Sequence, residues 1–149
     1  MFRQILLPTD GSPLSTRAAK LALKLAKSSG ARLTALHVIP PYEPTTYMEG
    51  MAAYPELFSP AEYKRASEAR AARMLGKVAA LAKAAGVRCE TTVVNGRAPW
   101  EAIIKTAKSK RCDAIVMASH GRRGLESLLL GSETTKVLTH TKTPVLVCH

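Results

Sequence analysis

The chain has 149 residues and a formal net charge of +11, with 22 lysines and arginines against 11 acidic residues; 46% of it is hydrophobic and 22% charged. Those proportions exclude global disorder, and no apolar run approaches the roughly 18 residues of a membrane span. The length suits a single domain over residues 1–149 with a core of its own. The apolar stretch near the N-terminus is too short for a signal peptide. Cys89, Cys112 and Cys148 lack the spacing of a disulfide framework or a zinc site, so a cytoplasmic protein is expected. The cation excess favours anionic partners such as nucleotides, nucleic acid or an acidic membrane surface; alternatively it is the solvated face of several helices.

In chain order, apolar strand-like runs alternate with segments of helical period. Ile5–Leu7 reads as a short strand ending in Pro8-Thr9-Asp10-Gly11-Ser12, a cluster of turn and cap residues. A helix follows from near Pro13, with Ala18, Ala22, Leu25 and Ala26 on one face and Arg17, Lys20, Lys24 and Lys27 on the other; Gly30 ends it. Arg32–Ile39 is the second strand, closed by Pro40-Pro41. Residues 40–59 form a long connection in which Tyr42, Tyr47, Tyr54 and Phe58 either pack on the domain surface or belong to a lid. Pro60–Ala85 is a long helix whose Ala71, Met74, Leu75, Val78, Leu81, Ala82 and Ala85 should face the core.

After Gly86, Val87–Val94 reads as the third strand and Asn95-Gly96 as a turn. Pro99–Ser109 is a helix with Trp100, Ile103, Ile104 and Ala107 inward. Ala114–Ser119 is the fourth strand, followed by a glycine-punctuated loop to Gly131. Ser132 should N-cap a last helix through about His140, and Pro144 introduces a fifth strand, Val145–Cys148. Alternating strands and helices, with strands apolar on both faces, predict an α/β fold: one doubly wound, five-stranded parallel sheet with helices on both faces. Such folds take ligands beyond the carboxyl ends of their strands. Two segments lie there, Pro8–Ser12 and Ser119–Ser132.

Gly121 lets backbone N–H groups approach an anion, and Gly131-Ser132 opens a helix whose free N–H groups suit phosphate. Arg122 and Arg123 lie close by in sequence. Alternatively these glycines only turn the chain. No GxxxxGK[ST] occurs, and no GxGxxG follows the first strand. Asp10 can accept from ribose hydroxyls or hold a metal, or it caps the first helix. His120 has no carboxylate beside it in sequence and reads as a loop or phosphate-side donor rather than a base. His37 reads as a core histidine or a satisfied one, and His140 and His149 lack ligand spacing. Thr134 and Thr135 are indistinguishable from ordinary helix residues.

These residues resemble the universal stress protein family, UspA-like and of the nucleotide-binding type, over essentially the whole chain. The resemblance rests on ILLPTDGSPLSTRAAKLALKLA, LTALHVI and ASHGRRGLESLLLGSETTKVLTHTKTPVLVCH. It implies a Rossmann-like fold of the adenine nucleotide α-hydrolase kind and a stress-response protein that binds ATP or another adenine nucleotide, with Mg²⁺ reaching Asp10 through the nucleotide. It further implies that Asp10 contacts ribose, that Pro8 and Thr9 line the adenine side, and that the backbone of Val38 reads the adenine edge. Met117, Ala118 and Gly121 would form the fourth-strand wall. Gly131, Ser132 and Glu133 would hold phosphates, with Arg122 in reach of them. The family's Gly-x2-Gly-x9-Gly-Ser/Thr motif is matched at Gly121, Gly131 and Ser132, but its first glycine falls on Ala118. Where close backbone approach is needed, that methyl would cost about 1 kcal/mol. A homodimer through Val145, Leu146 and Val147 is also implied, together with a regulatory protein partner. No catalytic residue or bound metal stands out. The reading is a nucleotide-dependent switch, with weak Mg²⁺-dependent ATP hydrolysis or a basic partner-binding or nucleic-acid-binding protein as alternatives.

Overall fold

A computed structural model describes residues 1–43, 59–120 and 130–149. Its strands are β1 Gln4–Pro8, β2 Arg32–Ile39, β3 Cys89–Asn95, β4 Ala114–Ala118 and β5 Val145–Cys148. Its helices are α1 Pro13–Ser29, α2 Pro60–Ala85, α3 Pro99–Ser109 and α4 Ser132–His140. The strands form one parallel sheet in the order β3-β2-β1-β4-β5, as the alternating pattern predicts.

The central strands β1 and β4 send alternate side chains to two covered faces, which is why Ile5–Leu7 and Ala114–Met117 are apolar without a break. On one face Ile5, Leu7, Leu33, Ala35 and Val116 pack with Ala18, Ala22 and Ala26 of α1 and Leu75, Val78 and Ala82 of α2. On the other, Leu6, Leu36, Ile115 and Met117 meet Ile103 and Ala107 of α3 and Val137 of α4. The alanine stripe of α1 is fully buried, and small side chains there bring the helix close to the sheet. Ser12 caps α1 by accepting from Ser15 N–H, and Gly30 closes it at φ 68°, a left-handed conformation that glycine adopts without a Cβ penalty. Ser59 and Glu62 form a reciprocal capping box at the start of α2.

Several local expectations shift. β3 begins at Cys89 rather than Val87, because Val87 is tied to the end of α2 through Ala82 O. β4 ends at Ala118, although Ser119 N–H still donates to Cys148 O at 2.8 Å. Gly131, not Ser132, is the N-cap of α4, so Ser132 is its first helical residue. Leu81, expected in the core, is 38% exposed, since α1 covers only part of the apolar stripe of α2. Trp100 is half-buried, with its ring centroid 4.6 Å from that of His140. Of the aromatics in the 40–59 connection, Tyr42 packs on Tyr63, while Tyr47, Tyr54 and Phe58 lie outside the described residues. The three cysteines are free. Burial pushes the Cys112 thiol up to about 11, and the Asp113 carboxylate adds to the rise.

Beneath the apolar layer one polar pair is sealed in. Gln4 Nε2 donates to Thr34 Oγ1 at 2.7 Å, with Thr34 wholly buried. Thr34→Val should therefore lower the unfolding free energy by about 1–3 kcal/mol, because the Gln4 amide loses its acceptor. Urea denaturation checks this, and adding Gln4→Leu to the same chain should recover much of the loss.

Candidate functional site

β1 and β2 pair from Gln4↔Arg32 to Pro8↔Leu36, but β1 and β4 pair only at Ile5↔Ala114 and Leu6↔Ile115. Beyond Leu6 the two central strands part. A crevice of about 240 Å³ opens between their carboxyl ends, lined in part by Pro8, Thr9, Asp10, Val38, Met117 and Ala118. This is where strand order reverses, the place where open α/β sheets receive ligands.

The turn after β1 is held by its own hydroxyls and carboxylate. Asp10 Oδ1 accepts from Ser12 N–H at 3.0 Å, so the carboxylate builds the turn while its side chain also lines the crevice. Thr9 Oγ1 donates to Ser15 Oγ at 3.1 Å, and Ser15 Oγ donates onward to Ser12 O at 2.9 Å. His37 Nδ1 lies 2.8 Å from Thr9 O. A carbonyl oxygen only accepts, so Nδ1 carries the proton and Nε2 of the neutral ring is an acceptor. His37 is thus a satisfied histidine, as expected, but it also lines the crevice.

On the other side, α4 starts hard against the end of β4. Gly131 N–H donates to Ser119 O at 2.7 Å, and Thr134 Oγ1 donates to Ala118 O at 3.0 Å. A Cβ at Gly131 would sit 3.1 Å from Ser119 O and 3.2 Å from His120 Cα. This glycine is required for close approach: its φ of −62° is one that any residue adopts. Among the described residues no side chain caps α4, so its first-turn N–H groups and its dipole favour an anion.

Glu133 has a further role. α3 begins at Pro99 with Ala98 as an N-cap that contributes no side-chain bond. Glu133 Oε2 accepts from Trp100 N–H at 2.8 Å, capping α3 from the neighbouring helix, while Lys136 Nζ lies 3.4 Å from its Oε1. Its carboxylate faces a helix start rather than an open phosphate site. At Ala118 the backbone is extended strand, and Arg111 is the only non-glycine residue with positive φ among those described. The conformational freedom of glycine is therefore not needed at 118.

Of the expected nucleotide-site residues, Pro8, Thr9, Asp10, Val38, Met117, Ala118 and Glu133 line the crevice. Gly131 and Ser132 stand at the start of α4 beside it, and Gly121 and Arg122 lie outside the described residues. Val145, Leu146 and Val147 lie apart from it, on the edge strand β5. Ser15, Leu36, Pro99, Ile103 and Thr134 also line the wall, though none was expected as a nucleotide-site residue. Leu36 shares the sheet face of Val38, which the period of two could have shown. Pro99 and Ile103 arrive only through the packing of α3. His120 lines the crevice, with its Nδ1 3.2 Å from Ser119 Oγ. Among the described residues no group of His, Cys, Asp and Glu is placed to hold a metal.

A parallel sheet that splits at the reversal of strand order, with a helix start beside the split, defines a doubly wound α/β protein. The model of the Universal stress protein family matches residues 1–149, and the chain belongs to that family. It is 35% identical over 147 residues to universal stress protein MJ0531 of Methanocaldococcus jannaschii, covering 99% of this chain and 82% of that one. It is 34% identical over 148 residues to universal stress protein YxiE of Bacillus subtilis, covering 99% of both. Among solved structures, MJ0577 of Methanocaldococcus jannaschii superposes with a TM-score of 0.78 at 28% identity, covering 99% of this chain and 96% of that one. A universal stress protein in complex with cAMP superposes with a TM-score of 0.72 at 29% identity, covering 99% and 97%.

The cap that Glu133 supplies is open to test. Glu133→Ala should cost about 1 kcal/mol of stability in nucleotide-free protein, read from thermal or urea unfolding. Glu133→Gln, which keeps an acceptor oxygen for Trp100 N–H, should recover most of it.

Proposed function

We propose that this chain is a cytoplasmic, homodimeric universal stress protein that binds an adenine nucleotide, ATP foremost, between β1 and β4 and acts as a nucleotide-dependent regulatory switch. The observation that carries this reading is the crevice itself. At about 240 Å³ it is smaller than the ~300 Å³ typical of sites for drug-sized ligands, which suits a base and sugar with the phosphates projecting outward. Met117, Ile103 and Leu36 offer an apolar bed for a purine, and the backbone of Val38 borders it. Asp10 lies where ribose hydroxyls, or Mg²⁺ carried by ATP, would meet a carboxylate. Phosphates leaving this bed run toward the first turn of α4, whose N-cap glycine supplies no side-chain bond. The cAMP complex of a relative supports the ligand class.

Switching requires the nucleotide to bind one conformation more tightly than another, and tight binding to both would shift nothing. The dimer reading rests on β5, an edge strand whose Leu146 is 42% exposed and whose outer backbone edge has no partner strand among the described residues. A second copy pairing there would bury that edge and join two crevices in one assembly, and a regulatory protein partner would read its state.

Calorimetric titration of ATP with Mg²⁺ at near-physiological salt, into nucleotide-stripped protein, tests the reading. Micromolar binding at one site per chain is expected. Asp10→Ala should weaken it about tenfold through loss of a charged acceptor. Gly131→Val should abolish it by pushing α4 off the end of β4, with a thermal melt to show that the protein still folds. Ala118→Gly should change affinity by less than about threefold, because strand backbone at 118 makes no demand for glycine. No binding at millimolar ATP would overturn the proposal. For the dimer, Leu146→Glu should move the sedimentation coefficient from dimer to monomer.

A further inference from the structure

A second apolar hollow lies outside the proposed nucleotide crevice. It is a groove of about 470 Å³ between α1 and α2, floored by Ala19 and Val78 and walled by Met74 and Leu81. Its origin is the mismatch noted in the fold: the apolar stripe of α2 is wider than the surface α1 covers. Val78 is 6% exposed at the bottom, whereas Leu81, one turn along the same face, is 38% exposed at the rim. Met74, Lys77, Val78 and Leu81 follow the i, i+3, i+4, i+7 spacing of one helix face.

Lys77 is the one charged side chain lining the groove. Its ammonium forms no ion pair among the described residues, where the salt bridges are Arg97–Glu43, Lys110–Glu90 and Lys136–Glu133. An unpaired cation beside an apolar trough is complementary to a ligand with an anionic head and a hydrocarbon tail. The lining is aliphatic apart from Lys77 and the hydroxyls and glycine of the turn, and it holds no aromatic ring for a flat ligand to stack on. Thr9 and Ser15 line both the groove and the crevice, and their hydroxyl–hydroxyl bond is the partition between the two.

We propose that this groove is a second ligand site, separate from the nucleotide crevice, which takes a medium-chain aliphatic carboxylate with its tail along Met74, Val78 and Leu81 and its head on Lys77. Methylene burial makes the identification quantitative. Each methylene removed from water strengthens binding about fourfold, so decanoate should bind about fifteenfold more tightly than octanoate.

The experiment is calorimetric titration of the full chain with octanoate and decanoate below their aggregation concentrations, with 1-decanol and decylammonium as head-group controls. Saturable decanoate binding at one site per chain is expected, with the chain-length dependence above and weaker binding of decanol and decylammonium. Leu81→Asn, at an exposed position that folding tolerates, should weaken decanoate about tenfold. Lys77→Glu should lose decanoate and gain decylammonium, a reversal that an unfolded variant would not produce. Absence of saturable decanoate binding, equal affinity for decanol, no dependence on chain length, or unchanged selectivity in Lys77→Glu would each overturn the proposal.

Discussion

β1 and β4 are hydrogen-bonded neighbours at the centre of the sheet for only two residue pairs, after which their carboxyl ends separate. The separation follows from topology. The chain leaves β1 through α1 on one face, and it reaches β4 through α3 on the other. Right-handed crossovers running outward in both directions leave no connection above the central pair. The first half of the chain therefore contributes the turn after β1, and the second half contributes the end of β4 and the start of α4. Every feature of the crevice depends on those two halves meeting across the split.

The rim of each half is fixed by bonding to backbone carbonyls within that half. Thr9 N–H donates to Leu36 O at 2.8 Å, which extends the register of β1 and β2 past the last residue of the strand. Across the gap, Gly131 N–H and Thr134 Oγ1 both donate to carbonyls at the end of β4. The rim of the crevice is thus built from short, rigid contacts, while its bed is aliphatic. That combination fixes where a ligand's polar atoms must lie and leaves its apolar part to the hydrophobic effect.

Much of this architecture is legible in the sequence because the punctuation is local. Arg32–Ile39, Pro60–Ala85, Pro99–Ser109 and Val145–Cys148 have the bounds that their prolines, glycines and apolar runs suggest. Local signals end where partners are distant in sequence. Glu133 caps a helix that begins 34 residues earlier, at Pro99, and nothing in ETTKVLTH announces it. Leu81 fits the core period of α2 yet reaches the surface, because periodicity reports which face is apolar and not how much of it a neighbour covers. His37 illustrates a third case. Its place in a strand implies burial and a partner, but only the fold shows that the partner is Thr9 O at the lip of a crevice.

The bond from Trp100 N–H to Glu133 also bears on the electrostatics of the site. α3 and α4 both contribute residues from their first turns to the crevice, Pro99 from one and Glu133 and Thr134 from the other. Two helix N-termini converging on one small volume would place two partial positive charges side by side. The Glu133 carboxylate lies on the first of them, bonded at 2.8 Å to the first N–H that Pro99 leaves available. Glu133 belongs to the first turn of α4 as well, but its Oε2 is bonded to Trp100 N–H, while the N-cap Gly131 carries no side chain and Ser132 is exposed. The same carboxylate therefore lies near both helix starts, while its hydrogen bond goes to α3. A single residue of α4 thus caps α3 and makes the two helix starts unequal, since only α3 receives a side-chain hydrogen bond from it.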